Sequence, residues 1–425
     1  MNYNEALTFI HSVNNYFCKP GLDRIKALCE FLGNPQDELK FIHVAGTNGK
    51  GSFCSMLTSI LKSAGYKVGT YTSPYILNFN ERIAINGEPI PDDELASLCD
   101  NIKPFCENAT DKPTEFEVIT AIGFEYFKKQ NCDVVVLECG LGGRFDATNI
   151  IKTPVLSVIT GVDFDHQNFL GNTIEEIANE KAGIIKKGVP CLWCGDNSAA
   201  YKLISETANE VGSPLFVCRH HDITFNNMDL DGTDFNFGNY KNVLCPLLSV
   251  YQPLNTANAI TAAEILIDNG FNITKTHIYD GIKNARWPAR FEILSHSPTV
   301  IFDGAHNPQG VTAAVESIKT YFKDQTVNIL TGVMSDKDYN YIASKIGCIA
   351  KKVFCIRPDN PRALAADKYA DIFSKMDVPA LAFNSINDGI DAALKDSNEN
   401  NIPLIILGSL YMYGDVYKRI NAKKQ

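Results

Sequence analysis

The sequence predicts an α/β fold with a mostly parallel central sheet, followed by a smaller second α/β domain. Short apolar runs recur along the chain, end in Gly, Asp or Glu, and lead into helical patterns. Strands alternating with helices in this way form βαβ units and a parallel sheet. The pattern restarts near residue 298, so the architecture is built twice.

Phe41-Ile42-His43-Val44-Ala45 is the first clear strand, entering a Gly-rich turn. A helix follows from Ser52 to Ala64 and stops at Gly65, a left-handed cap. Asp133 to Leu137 runs as a strand into Glu138, and Val155 to Ile159 runs into a loop holding Asp163, Asp165 and His166. Thr173-Ile-Glu-Glu176 is a capping box opening the helix that contains Glu180 and Lys181. Residues 197–245, rich in Asn, Asp and Gly, read as strands or loops, and Thr256 to Ile267 as an Ala-rich helix. Pro288 and Pro298 bracket a short segment. After it, Val300 to Asp303, Val327 to Thr331, Lys352 to Ile356 and Leu404 to Leu407 read as strands of the second domain. The expected division is therefore 1–285, a linker at 286–297, and a domain at 298–425 of ~125 residues, inside the usual range. In parallel sheets ligands collect beyond the carboxyl ends of the strands, and the polar residues named above fall there.

Composition narrows the function. Of 425 residues, 45% are hydrophobic and 21% charged, enough apolar content for packed cores. Lys plus Arg total 39 against 49 Asp plus Glu, a formal charge of −10. Such a chain is a poor binder of nucleic acid or anionic membranes. No apolar run approaches the ~18 residues that span a bilayer, and the N-terminus does not read as a secretory signal. The thirteen cysteines are scattered and odd in number, which points to free thiols in a reducing cytoplasm, Cys191-Leu-Trp-Cys194 included.

The strongest local signal is Gly46-Thr47-Asn48-Gly49-Lys50-Gly51-Ser52, between a strand and a helix. Its glycines let Thr47, Asn48, Gly49, Lys50, Gly51 and Ser52 bring backbone N–H groups to phosphate oxygens. The helix N-terminus adds positive charge. Lys50 can neutralise β- and γ-phosphates, and Ser52 can ligate Mg²⁺. The spacing departs from G-x-x-x-x-G-K-[ST], because Val44 lies five before Gly49 and Gly51 separates Lys50 from Ser52. Glu138, at a strand end, has the position of a second anchor for a hard cation. No Asn-Lys-x-Asp guanine signature is present; Ser335-Asp336-Lys337-Asp338 lacks the Asn. The residues alone reach an ATP-utilising two-domain enzyme.

Several ordered motifs go further. They include Thr72-Ser73-Pro74, Glu81-Arg82-Ile83, Leu137 to Asn149 (LECGLGGRFDATN), Asp165-His166, and Glu180-Lys-Ala-Gly-Ile184. Asn255-Thr-Ala-Asn258, Arg290-Phe-Glu292, Asp303-Gly-Ala-His306-Asn-Pro308, Pro361-Arg-Ala363 and Gly408-Ser-Leu-Tyr411 continue the series nearly to the end. With the phosphate loop, these resemble dihydrofolate synthase/folylpolyglutamate synthase of the Mur ligase superfamily.

The resemblance implies a P-loop, Mur-ligase-like N-terminal domain and a smaller Rossmann-like C-terminal glutamate-ligase domain. It implies ATP-dependent addition of L-glutamate to dihydropteroate and/or reduced folates through an acyl phosphate. The alternatives are a monofunctional folylpolyglutamate synthase and a Mur-type amide ligase with another acyl substrate. The implied partners are ATP, L-glutamate and dihydropteroate or folates, the implied state is a monomer, and the implied cofactors are two Mg²⁺ with K⁺ as a monovalent ion.

By similarity, Ser52 and Glu138 ligate one Mg²⁺ and His166 a second. Lys181 resembles the lysine that is carbamylated in this superfamily; an ammonium would repel Mg²⁺, whereas a carbamate offers anionic oxygens. Lys50, His166 and Lys181 are the implied catalytic set. Asn258, Arg290, Asp303 and His306 match ATP contacts. His306 and Ser409 match the glutamate site, with stacking, hydrogen bonding and a structural turn all open for His306. Arg82, Phe116, Asp146 and Ala147 match the pterin side. Two departures stand out. Ala289 occupies a position where the family commonly has Gly, which costs ~1 kcal/mol or more if the position requires positive φ. Tyr75-Ile76 replaces a frequent His-Leu in the substrate loop.

Overall fold

The computed structural model describes residues 1–13, 21–323 and 325–422. They form two compact units. The first comprises Met1–Ile223, Phe237–Asn239 and Asn255–Ala285; the second comprises Thr224–Asn236, Tyr240–Leu254 and Arg286–Gln425.

The first unit is built on an eight-stranded sheet. Its strands are β1 (Phe41–Ala45), β2 (Val68–Tyr71), β3 (Ile83–Ile85), β4 (Glu88–Pro89), β5 (Val134–Glu138), β6 (Leu156–Ile159), β7 (Cys191–Trp193) and β8 (Leu215–Val217). Their order is β4-β3-β2-β5-β1-β6-β7-β8. The strands from β2 to β8 in that order pair in parallel, and β3 and β4 add an antiparallel edge. β1 and β5 are buried at every residue, as expected of strands covered on both faces. One core packs Phe41, Val135 and Leu137 with side chains such as Ile25, Ile102 and Phe127 from the helices Asp23–Phe31, Asp92–Asn108 and Glu115–Lys129. Another packs Ile159 and Trp193 with Ile177 and Ile204.

Local sequence explains the helices around this sheet. The helix after β1 runs Lys50–Ser63, starting two residues before the expected Ser52, and Gly65 follows at φ 89°. Thr173 accepts from the Glu176 N–H and closes the expected capping box. The segment 197–245 differs from its reading as strands or loops, because it opens on the helix Ser198–Val211. Asn197 caps the helix, Gly212 ends it in the left-handed region, and Ala200, Ile204 and Ala208 bury a stripe at intervals of four. The polar composition had hidden that stripe.

After β8, the segment ends in a three-stranded sheet of β9 (Ile223–Asp229), β10 (Gly232–Phe237) and β11 (Tyr240–Cys245), in the order β11-β10-β9. Leu230 and Leu248 pack against the core of the second unit, which is why this region joins it despite preceding residue 285.

The main sheet of the second unit has six strands: β12 (Glu292–His296), β13 (Thr299–Asp303), β14 (Val327–Thr331), β15 (Ala350–Cys355), β16 (Ala380–Ala382) and β17 (Leu404–Leu407). Their order is β12-β13-β17-β14-β15-β16. All neighbours are parallel except β12, which pairs antiparallel with β13. The stretch 286–297, expected as a linker, is therefore partly an edge strand of this sheet. Just before β12, Ala289 has φ 57° and Phe291 φ 48°. The position where the family commonly has Gly does take left-handed backbone here, at ~1–2 kcal/mol for a residue with Cβ.

The described cysteines are all free, and burial pushes the Cys191 thiol up to about 12. No described helix is long and apolar enough to cross a membrane.

Candidate functional site

β1 leaves the sheet between β5 and β6, so its carboxyl end has parallel neighbours on both sides. Val44 is level with Glu138 on β5, and Ala45 with Ile159 on β6. This brings the phosphate loop, Glu138 and the Thr160–His166 loop to one end of the sheet. The loop is tight. A Cβ on Gly46 would lie 1.9 Å from Thr160 Oγ1, and one on Gly49 (φ 85°) would lie 2.7 Å from Asn255 Oδ1. Thr47 N–H donates to the Gly161 carbonyl (2.9 Å), and Thr160 Oγ1 donates to the Asn48 carbonyl (2.7 Å). The first helical hydrogen bond runs from Phe53 N–H to the Gly49 carbonyl (2.9 Å). The N–H groups of Lys50, Gly51 and Ser52 lie ahead of it, where helix donors lack intrahelical acceptors. Anions bind at such ends.

Lys50 folds over the loop. Its Nζ donates to the carbonyls of Gly46 (3.1 Å) and Thr47 (3.3 Å) and lies 3.9 Å from Glu138 Oε1. Glu138 is buried, and its Oε2 accepts from Ser73 N–H (3.1 Å), which ties the Thr72-Ser73-Pro74 loop to β5. Ser52 is also buried.

A pocket at this end is lined by Thr47, Lys50, Gly140, Leu141, Asp165, His166 and Lys181, among others. The expected catalytic set, Lys50, His166 and Lys181, thus lines one cavity together with Thr47 of the phosphate loop. His166 is half exposed, with φ 50°, and its Nε2 stands 3.9 Å from Asp165 Oδ2. Lys181 is 3% exposed, on the helix Ile174–Ala182. Burial, and then the charge of Lys50, pushes its amine down to about 7.

Asp146 lies on the turn after Gly140. Its Oδ2 accepts from Leu141 N–H (2.8 Å), and its Oδ1 from Thr148 N–H (3.1 Å) and Thr148 Oγ1 (2.5 Å). Burial raises its pKa and these hydrogen bonds oppose the rise. Behind it, His43 Nε2 lies 2.8 Å from Thr148 Oγ1 and 3.1 Å from Cys139 Sγ. Ala147 is buried and opens the 3₁₀ turn that Asp146 caps. Phe116 is partly buried, edge-on to Tyr71 at 6.0 Å, and a Cβ on Gly140 would lie 2.5 Å from its ring. The Arg82 guanidinium lies over Tyr75 (5.1 Å) and Phe79 (5.5 Å). The substituted Tyr75 therefore packs directly on Arg82. Asn258 is buried, and its Oδ1 is 2.7 Å from His220 Nε2. Its neighbour one turn earlier, Asn255, is the residue packed against the phosphate loop.

The second unit gathers its own set at the carboxyl ends of β13 and β17, where Asp303 is level with Leu407. Gly408 N–H donates to the Ala305 carbonyl (3.0 Å). Asp303 is buried; Oδ1 accepts from Ala305 N–H (2.8 Å), and Oδ2 from Phe291 N–H (2.9 Å) and Tyr251 O–H (3.1 Å). His306 Nδ1 donates to the Gly304 carbonyl (2.8 Å). The Ser409 hydroxyl accepts from Tyr411 N–H (3.2 Å), capping the short turn after β17. Arg290 Nη1 donates to the Ala289 carbonyl (3.3 Å).

Sequence reasoning missed His43, Thr148, Tyr251 and Asn255. His43 reads as an ordinary core residue of β1, and Tyr251 sits in no motif. Asn255 and Thr148 lay inside quoted motifs, but nothing in spacing says what they touch.

Burial lowers the His43 imidazole to about 3, with the charge of Lys186 adding to the effect. Between that value and the ordinary ~6.5 the unfolded chain binds a proton that the folded chain lacks. Stability from this group is full above ~6.5 and is lost as pH falls toward 3. Urea midpoints measured between about pH 4 and 7 should fall less steeply for His43→Gln than for the parent; parallel slopes would contradict the assignment.

Two family models match the chain: Mur ligase middle domain over residues 44–263, and Mur ligase, glutamate ligase domain over residues 289–410. The dihydrofolate synthase/folylpolyglutamate synthase of Bacillus subtilis is 38% identical over 430 residues, covering 98% of this chain and 99% of that protein. The folylpolyglutamate synthase of Lacticaseibacillus casei is 36% identical, covering 97% of each. A solved structure of Escherichia coli FolC in complex with DHPP and ADP matches with a TM-score of 0.88 at 30% identity, over 100% of this chain and 99% of that one.

Proposed function

The chain belongs to the dihydrofolate synthase/folylpolyglutamate synthase family of Mur ligases, and from that membership we propose that it joins L-glutamate to the carboxyl group of dihydropteroate and of reduced folates at the expense of ATP. The observation that carries the reading is the single pocket that combines the phosphate loop with Lys50, His166 and Lys181, next to the Asp146 turn. The similar E. coli protein is solved with ADP and DHPP bound.

In the proposed reaction a carboxylate oxygen of the acceptor attacks the γ-phosphorus of ATP and ADP leaves. The glutamate nitrogen then attacks the carbonyl carbon of the acyl phosphate, loses a proton, and the tetrahedral adduct expels phosphate to leave an amide. Phosphoryl transfer is mainly positioning and charge neutralisation. Thr47 N–H is taken by the Gly161 carbonyl, so the N–H donors to the phosphates come from the later part of the loop, Lys50, Gly51 and Ser52 above all, and the Lys50 side chain supplies positive charge beside them. Asp146, held by three hydrogen bonds from its own turn, turns its remaining acceptor capacity toward the amino and ring N–H groups of a pterin. Ala147, Phe116 and Arg82 shape that side. By the family resemblance, Asn258, Arg290 and Asp303 serve the nucleotide. We assign Asp303 chiefly to holding the Arg290 turn, because three of its lone pairs already accept internal hydrogen bonds. His306 and Ser409 serve glutamate.

The donors suit Mg²⁺. Ser52 and Glu138 are hard oxygen ligands, the kind of donor that Mg²⁺ takes one or two of from a protein beside waters and phosphate oxygens. Ser52 and Glu138 would hold one ion, and His166 with carbamylated Lys181 a second. Bound there, Mg²⁺ supplies positive charge to phosphate oxygens. A lysine lowered to about 7 is partly uncharged at neutral pH, the form that adds CO₂ and releases a proton to become an anionic carbamate.

Glutamate-dependent phosphate release, assayed separately with dihydropteroate and with tetrahydrofolate, should be seen with both. Turnover with neither would overturn the reading, and turnover with tetrahydrofolate alone would reduce it to a folylpolyglutamate synthase. Lys181→Ala should lose most turnover while ATP still binds. With ¹³C-bicarbonate, the parent should show a carbamate carbon that this variant lacks; full turnover in the variant removes the carbamate role.

A further inference from the structure

Arg290 sits between two residues of left-handed backbone, Ala289 and Phe291, neither of them glycine. Both are fully buried. Such a conformation persists only where its surroundings over-determine it, and here the constraints are visible on each side. Ala289 N–H donates to Glu292 Oε2 (2.8 Å), and the same oxygen accepts from Tyr413 O–H (2.8 Å). Phe291 N–H donates to Asp303 Oδ2 (2.9 Å), and that oxygen accepts from Tyr251 O–H (3.1 Å). Each strained residue is thus pinned by a carboxylate, and each carboxylate is oriented by a tyrosine distant in the sequence. The Ala289 carbonyl is held as well, by Gly304 N–H (2.9 Å). The guanidinium packs so closely over Gly304 that a Cβ there would lie 2.4 Å from Nη1.

We infer that Tyr413–Glu292 and Tyr251–Asp303 are two carboxylate–tyrosine clamps that aim Arg290, making Tyr251, Glu292 and Tyr413 positioning residues for the nucleotide phosphates. The inference rests on the reading of Arg290 as a phosphate ligand given above. Tyr413 is the cleaner lever. It is buried edge-on against Phe302 at 5.0 Å, so Tyr413→Phe keeps the ring packing and removes the hydroxyl that donates to Glu292. Glu292→Gln retains an oxygen that can accept from both Ala289 and Tyr413, and serves as the conservative counterpart of Glu292→Ala.

The test is a double-mutant cycle on the full chain, with KM for ATP, KM for the folate, kcat and melting temperature measured for each variant. Tyr413→Phe should raise KM for ATP about fivefold or more, the scale of one lost hydrogen bond, with KM for the folate unmoved. Tyr251→Phe should do the same. In an Arg290→Ala background neither should add a further rise, because the residue being aimed is gone. Glu292→Gln should stay near the parent where Glu292→Ala does not. Equal effects with and without Arg290, or a lowered melting temperature with an unchanged KM for ATP, would show a structural role only and overturn the clamp. If Arg290→Ala alone leaves KM for ATP and kcat unchanged, the Arg290 reading itself fails, an outcome distinct from failure of the clamps.

Discussion

Close approach of backbone to phosphate is the constraint on which the rest of the first unit depends. A chain that offers N–H groups to an anion must pass from strand to helix without Cβ atoms in the way. Here that requirement is met by packing as much as by glycine content. Thr160 fills the space beside Gly46 and Asn255 the space beside Gly49, so the turn is cast between β6 and the helix Gln252–Asp268. β1 must then be central, because only a strand with parallel neighbours on both sides brings Glu138 and the Thr160–His166 loop to the same end.

Charge is the second constraint. The chain carries −10, and the substrates proposed for it are anionic as well. Positive charge has to be concentrated, yet two lysines in one pocket repel each other. The pocket resolves this by lowering one of them: Lys181, buried beside Lys50, falls to about 7. Lys50 keeps two carbonyl acceptors and a carboxylate nearby. The roles proposed for the two lysines follow that difference, Lys50 to hold phosphate and Lys181 to become a carbamate.

What the sequence made legible was local. The strand Phe41–Ala45, the helix after Gly49, the Thr173–Glu176 capping box and the strands of the second sheet all carry their signal within a few residues. So does Lys50, whereas His166 and Lys181 were given roles only through the family resemblance; all three line one pocket. What was not legible depends on partners far along the chain. Tyr413 lies 121 residues from the Glu292 it holds, and Tyr251 lies 52 from Asp303. The assignment of 224–236 and 240–254 to the second unit goes with Leu230 and Leu248 packing against its core, which no periodicity reveals. The helix Ser198–Val211 was obscured because only its buried stripe is apolar. Ala289 marks the boundary between the two cases: its departure from glycine was visible in sequence, but the positive φ that gives it meaning required the structure.

The central claim is that the acceptor carboxylate is activated by direct phosphorylation. An acceptor labelled with ¹⁸O in that carboxylate tests it in a single turnover. The mechanism requires the attacking oxygen to leave with the phosphate, so one ¹⁸O should appear in the released phosphate while the other stays in the amide. Amide formation accompanied by unlabelled phosphate would mean that ATP is cleaved without forming an acyl phosphate, and would contradict the account.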